Sequence, residues 1–178
     1  ERVDRSGPLA LSYAQERLWF LSQLSPDDSS YVIPVAVRLE GELDGDALEQ
    51  ALGDVLSRHE ALRTRFEQRG DHVHQVIDTL PAPGWLSHRV LDASRALEAM
   101  QDEGARCFDL VRGPLFRASL LGLGPREHVL VVSMHHIVSD GWSVGALVRE
   151  LVACYRARAA GQTPLLPALP VQYADYAA

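Results

Sequence analysis

The stretch Met134-His135-His136-Ile137-Val138-Ser139-Asp140-Gly141-Trp142-Ser143 gathers two imidazoles, a carboxylate, two hydroxyls and a glycine. Imidazole, with an ordinary pKa near ~6.5, is the side chain best matched to proton exchange around neutral pH. An apolar strand pattern leads into this stretch and a helical pattern leaves it, a place where reactive groups stand on a rigid scaffold. Neighbouring side chains on a strand face opposite ways, so His135 and His136 cannot both enter one pocket. Three arrangements fit. Both rings are packed structural residues; or His135, His136 and Asp140 bind a metal; or one imidazole acts on a nucleophile in acyl transfer while the other packs. The opposed directions work against a metal, and no HExxH or further His cluster supplies the missing ligands. No GxSxG elbow supports a serine nucleophile. All 17 basic residues are Arg, which excludes Schiff-base and P-loop lysine chemistry.

The elements that must position these groups are legible from periodicity and caps. Ser12-Tyr13-Ala14-Gln15 fits a capping box, with Ala14, Leu18, Leu21 and Leu24 at helical spacing behind it. Ile33, Val35, Val37 and Leu39 alternate as a strand, and Pro34 confines that strand to an edge or a strand start. Asp44 caps a second helix carrying Leu48, Leu52, Val55, Leu56 and Leu62. Arg69-Gly70-Asp71 turns a hairpin from a strand around Phe66 to Val73–Ile77. A short extended piece covers Trp85–Leu91. A third helix spans Ala93–Cys107 with Leu97 and Met100 inward. Strands at Leu115–Leu121 and Glu127–His135 join through Gly122-Leu123-Gly124-Pro125. The last helix begins near Ser143, carries Val144, Leu147, Val148, Leu151 and Tyr155, and ends at Gly161. The fold class is therefore α/β, as an α+β sandwich: a mixed, largely antiparallel sheet with helices packed on it.

A chain of 178 residues at roughly 150 per domain is one domain or one lobe of a larger one. The net charge of -7 argues against a nucleic-acid partner, because phosphate binding needs clustered positive charge. No apolar run approaches the roughly 18 residues that cross a bilayer, and Glu1–Pro8 does not resemble a signal peptide. The expectation is a cytoplasmic chain without membrane contact, with Cys107 and Cys154 as reduced core thiols.

His135-His136-Ile137-Val138-Ser139-Asp140-Gly141 resembles the HHxxxDG signature of nonribosomal peptide synthetase condensation domains. Ser12-Tyr13-Ala14-Gln15-Glu16-Arg17-Leu18-Trp19-Phe20-Leu21 resembles that family's first core motif. Arg58-His59-Glu60-Ala61-Leu62-Arg63-Thr64-Arg65-Phe66 resembles its second, and Tyr173-Ala174-Asp175-Tyr176-Ala177 the start of a fourth. The resemblance covers essentially the whole chain. It implies a chloramphenicol acetyltransferase-like lobe, the N-terminal one of two, from the subtype that uses an L-configured donor. On this reading residues 1–11 are a linker, 12–160 the lobe core, and 161–178 a crossover region cut short.

The resemblance further implies amide formation between aminoacyl or peptidyl thioesters carried on 4′-phosphopantetheine, with no cofactor or metal bound by this chain. It gives His136 as the catalytic residue, supported by His135, Ser139, Asp140, Gly141 and Trp142. Asp140 caps the following helix or pairs with a cation, and the resemblance gives Arg63 as its structural partner. Gly141 is expected to take positive φ or to admit close backbone approach, with its N–H towards the thioester oxygen. Trp19 and Trp142 are read as core packing, Ser12 as a helix cap, and Arg17 as a structural or channel residue. Implied partners are the C-terminal lobe, donor and acceptor carrier proteins, and a downstream adenylation domain. Two alternatives stand beside this reading: an inactive folding or carrier-docking module, and an epimerisation-type or stand-alone acyltransferase relative.

Overall fold

A computed structural model describes residues 2–177. Ser12 opens helix α1 (Tyr13–Leu24) with a reciprocal cap. Its hydroxyl accepts the Gln15 N–H at 3.3 Å, and the Gln15 side chain accepts the Ser12 N–H at 3.0 Å. A turn at Ser29–Tyr31 leads to β1 (Val32–Glu40). Asp44 accepts the Ala47 N–H at 2.9 Å and so starts α2 (Gly45–Arg58). A 3₁₀ turn, Glu60–Arg63, feeds a hairpin of β2 (Thr64–Arg69) and β3 (His72–Ile77), closed at Gly70 with φ 62°. Beyond it come β4 (Ser87–Val90), α3 (Ala96–Ala105), β5 (Phe116–Gly124), β6 (Glu127–His135), α4 (Gly141–Ala159) and the short α5 (Tyr173–Tyr176).

Four strands form one sheet in the order β1-β6-β5-β4. The β1–β6 and β5–β6 pairs are antiparallel and β4–β5 is parallel, so the sheet is mixed and largely antiparallel, as the sequence pattern requires. Pro34 sits on the edge strand β1, where its missing N–H costs no ladder bond. Period-two alternation divides β5 and β6 between two faces. Phe116, Leu120, Leu130 and Val132 meet Leu52 and Val55 of α2 and Leu147 and Leu151 of α4. Leu121, Val129 and Val131 meet Ala99 of α3 on the other side. A second apolar cluster, holding Trp19, Phe66, Phe108, Leu115 and Ile137, packs α1 and the hairpin against the end of β6.

The structure departs from several expectations. Residues 2–11 are not a linker. Leu9 and Leu11 are buried, and the Leu9 carbonyl accepts the Gln75 N–H at 2.9 Å. The third helix ends at Ala105, and Leu97 faces solvent; the small residues Ala96 and Ala99 face inward instead. Close approach explains the inversion, since a Cβ on Gly104 would lie 3.3 Å from the Pro34 ring. Strand β5 runs on to Gly124 through a bulge, and α4 begins at Gly141 rather than Ser143. Of the two free thiols, Cys154 is buried in the core while Cys107 is only half-buried. Among the described residues, no helix is long and apolar enough to cross a membrane.

Candidate active site

The site is built where β6 ends. The His135 N–H donates to the Leu115 carbonyl at 3.1 Å, and the His136 N–H donates to the Tyr31 carbonyl at 2.8 Å. The Val138 N–H returns to the His135 carbonyl at 3.0 Å, closing a turn. This pinning sends the two imidazoles different ways. His135 is 5% exposed, with its ring edge-on to Phe108 at 6.3 Å. Its Nδ1 accepts the Ile137 N–H at 3.1 Å, which puts the ring proton of the neutral form on Nε2. Burial, together with the neighbouring His136, pulls its pKa down to about 4, so it is neutral at pH 7. His136 is exposed and opens into a cavity of about 160 Å³ lined by Gln15, Leu18, Asp140 and Tyr173.

Asp140 is the N-cap of α4. Its Oδ1 accepts the Ser143 N–H at 2.8 Å and the Ser143 hydroxyl at 2.7 Å, and these bonds hold its carboxyl below the usual carboxylate range. The expected pair with Arg63 does not form. The Arg63 Nη1 donates to the Asp78 carbonyl at 2.6 Å, in a separate cavity of about 470 Å³ that Asp140 does not line. Once Ser143 in the first turn of α4 satisfies Asp140, no cation is needed to hold the turn. Gly141 also departs from expectation: its φ is not positive, and a Cβ there would meet nothing within 4 Å. Trp142 is not core packing but 91% exposed on the first turn of α4, whereas Trp19 is buried as expected. Arg17 is exposed. No group of three or more His, Cys, Asp or Glu able to hold a metal occurs among the described residues.

The chain that carries this turn resembles known proteins over nearly all of its length. A family model described as "Condensation domain" matches residues 6–178. The chain belongs to the condensation-domain family. It is 47% identical over 184 residues to a linear gramicidin synthase of Brevibacillus parabrevis, covering 99% of this chain and 2% of that protein. It is 46% identical over 179 residues to a dimodular nonribosomal peptide synthase of Bacillus subtilis (strain 168), covering 99% of this chain and 8% of that protein. Among solved structures, the X-domain from teicoplanin biosynthesis matches with a TM-score of 0.92 at 38% identity, over 99% of this chain and 38% of that one. The starter condensation domain of rhizomide synthetase RzmA matches with a TM-score of 0.83 at 30% identity, over 93% of this chain and 41% of that one. The chain thus spans a small part of its curated relatives and about two fifths of its structural ones.

The structure also brings residues to this condensation-domain site that sequence patterns leave out. Gln15, a cap residue by its motif, is 1% exposed, and its amide also donates to the Gln75 side chain at 3.2 Å and to the Ile137 carbonyl at 3.4 Å. The first helix is thereby tied directly to the His136 turn. Tyr31 contributes its backbone carbonyl, which no side-chain pattern can reveal, and a ring whose centroid lies 6.3 Å from that of His135. Tyr173 bonds the Ser12 hydroxyl at 2.9 Å and lines the His136 cavity; its place in a fourth motif is the available signal.

Proposed function

We propose that this chain supplies the HHxxxDG half of a condensation active site, which forms a peptide bond between two carrier-tethered thioesters. The acceptor amine attacks the donor thioester carbon, a C–N bond forms, and the C–S bond to the donor phosphopantetheine breaks. The amine loses a proton and the departing thiolate gains one. His136 is the group placed to take that proton or to orient the amine. An α-amino group has a pKa of about 7.7–8.0, so part of it is neutral near pH 7 and orientation carries much of the rate. His135 and Asp140 act on position alone, the first by fixing the turn and the second by capping α4. The observation that carries this reading is the single exposed imidazole at a doubly pinned turn.

On this reading the remaining wall of the channel comes from a C-terminal lobe, and the substrates arrive on donor and acceptor carrier proteins within an assembly that also holds an adenylation domain. The L-donor subtype and a cytoplasmic location belong to the same proposal. Its test is dipeptide formation by the intact condensation domain with loaded carriers, followed by mass spectrometry. His136→Ala should lower turnover at least about 100-fold with unchanged melting, as loss of general acid–base help does. A docking role without catalysis is the second reading. It is favoured by the higher TM-score to an X-domain whose structure in complex with OxyB is known. A wild-type domain that is folded, binds its partner and makes no amide would establish that reading instead.

A further inference from the structure

The direction of His136 is set from behind. His135 before it and Ile137, Val138 and Ser139 after it are all buried, so the exposed imidazole takes its aim from the packing of its neighbours. The Ile137 N–H bond to His135 Nδ1 holds only while the His135 ring keeps its orientation. Tyr31 and Phe108 flank that ring, each with its centroid 6.3 Å away. The Tyr31 backbone is tied to the turn itself, since its carbonyl accepts the His136 N–H. Phe108 lies between α3 and β5, outside any helix or strand, and something else must hold it.

Arg117 of β5 does so. Its guanidinium carbon lies 3.7 Å from the centroid of the Phe108 ring. The same group grips the backbone just before that ring: Nη1 donates to the Cys107 carbonyl at 3.1 Å and Nη2 to the Arg106 carbonyl. In the β5–β6 register Arg117 stands opposite Ser133, which shares a face of β6 with His135. Guanidinium, phenyl and imidazole therefore follow one another along one face of the sheet.

This is a costly place for a cation. Among the described residues no carboxylate forms an ion pair with Arg117, and its buried Nε has no hydrogen-bond partner. Glu103, whose charge favours it, gives its carboxylate to the Ser119 hydroxyl at 3.3 Å. Burial, with the neighbouring Arg106, pulls the Arg117 pKa down. A methionine would fill the position without a buried charge. It could not stack a cation on a ring and grip two carbonyls at once.

We infer that Arg117 is a positioning residue for the condensation chemistry: through Phe108 it fixes the His135 ring, and through that ring the turn from which His136 projects. This rests on the amide-forming reading above. Arg117 lines the cavity of about 470 Å³ and not the one that His136 opens into, so its effect on the reaction passes through Phe108.

The test uses the intact condensation domain with loaded carriers. Arg117→Met should lower kcat about ten-fold with KM unchanged, because a misplaced imidazole weakens the transition state and not substrate binding. Arg117→Lys, which keeps a cation for the ring but not the planar fork, should fall between, and it carries the same readouts if Arg117→Met does not fold. Phe108→Leu should lower kcat similarly, and adding Arg117→Met to it should cost little more, since both act along one path. Hydrogen exchange reads the turn without any turnover. The Ile137 amide should exchange at least about ten-fold faster in Arg117→Met, while the Val55 amide in α2 keeps its wild-type rate, which sets local loosening apart from general unfolding. Unchanged kcat in Arg117→Met, an Ile137 amide exchanging at its wild-type rate, or losses that multiply in the double variant overturn this inference alone. A wild-type domain that makes no amide overturns the proposed function, and Ile137 exchange in Arg117→Met then still decides whether Arg117 fixes the turn.

Discussion

At the residue scale, two adjacent histidines differ in everything that matters to chemistry, and period two is the reason. The last strand residue points into the cluster of Phe108 and Trp19, and the next residue, already in the turn, points out. That one ring packs and its neighbour reaches out is legible from alternation; which ring does which is implied by the family resemblance. Asp140's partner is not legible, because a capping bond to Ser143 and an ion pair with a distant Arg use the same carboxylate. The two can be separated experimentally. Asp140→Ala should cost about 0.5–2 kcal/mol as a lost cap. Combined with Arg63→Ala, the losses should add, since the two side chains share no bond; coupling above about 0.5 kcal/mol in a double-mutant cycle would restore the pair. His135 gives a pH prediction. Its folded pKa of about 4 lies below the unfolded ~6.5, so the unfolded chain binds the proton first as pH falls. Stability from keeping it neutral is full above about pH 6.5 and declines towards pH 4, by up to about 3 kcal/mol. Melting of wild type should therefore fall more steeply over that window than melting of His135→Asn. Parallel curves would show that His135 is not buried as a neutral ring.

At the element scale, caps and hydrophobic periods locate α1, α2, β6, α4 and the β2–β3 hairpin around the site, because Ser12, Asp44 and Gly70 act locally on their own neighbours, but not the short α5 that carries Tyr173. Residue size misleads where layers come close. Leu97 reads as inward because large apolar residues usually are, yet α3 lies close to the sheet on Ala99 and Gly104. The terminal segments escape a sequence reading for the opposite reason, since their anchors are long-range. Arg5 reaches Asp175 at 2.6 Å and Glu60 at 2.8 Å, and Asp175 also accepts the Val3 N–H at 2.9 Å and the Gln172 N–H at 2.8 Å. Bonds across such separations leave no periodic trace. Asp175→Asn should loosen this clasp, seen as faster proteolysis between residues 3 and 8 with the sheet core still protected. Arg5 and the two N–H donors hold the Asp175 carboxyl well below its usual range. A depressed carboxylate contributes fully above its unfolded pKa of ~3.9 and is lost only as pH falls below that. The difference in melting between wild type and Asp175→Asn should accordingly stay constant from pH 5 to 8, and a difference that shrinks within that range would contradict the assignment.

At the scale of the whole molecule, the question is whether one folded body with an open imidazole can catalyse anything unaided. The core argues that these residues fold by themselves. Leu52, Val55, Leu115, Leu121 and Met134 are all 0% exposed, and three apolar clusters cover both faces of the sheet. The site argues that they do not condense by themselves. His136 is exposed, Trp142 is 91% exposed one turn away, and Tyr13 and Phe20 of α1 are 92% and 61% exposed. Among the described residues nothing covers His136 against water or holds two tethered arms in line, and orientation is worth on the order of 7–11 kcal/mol at best. Exposed aromatic groups of this size also favour weak self-association. The 178-residue chain expressed alone should therefore give one cooperative melt, concentration-dependent sedimentation and no detectable dipeptide from loaded carriers. Turnover near that of an intact condensation domain would mean that His136 needs no second wall, and the orientation argument would fall with it.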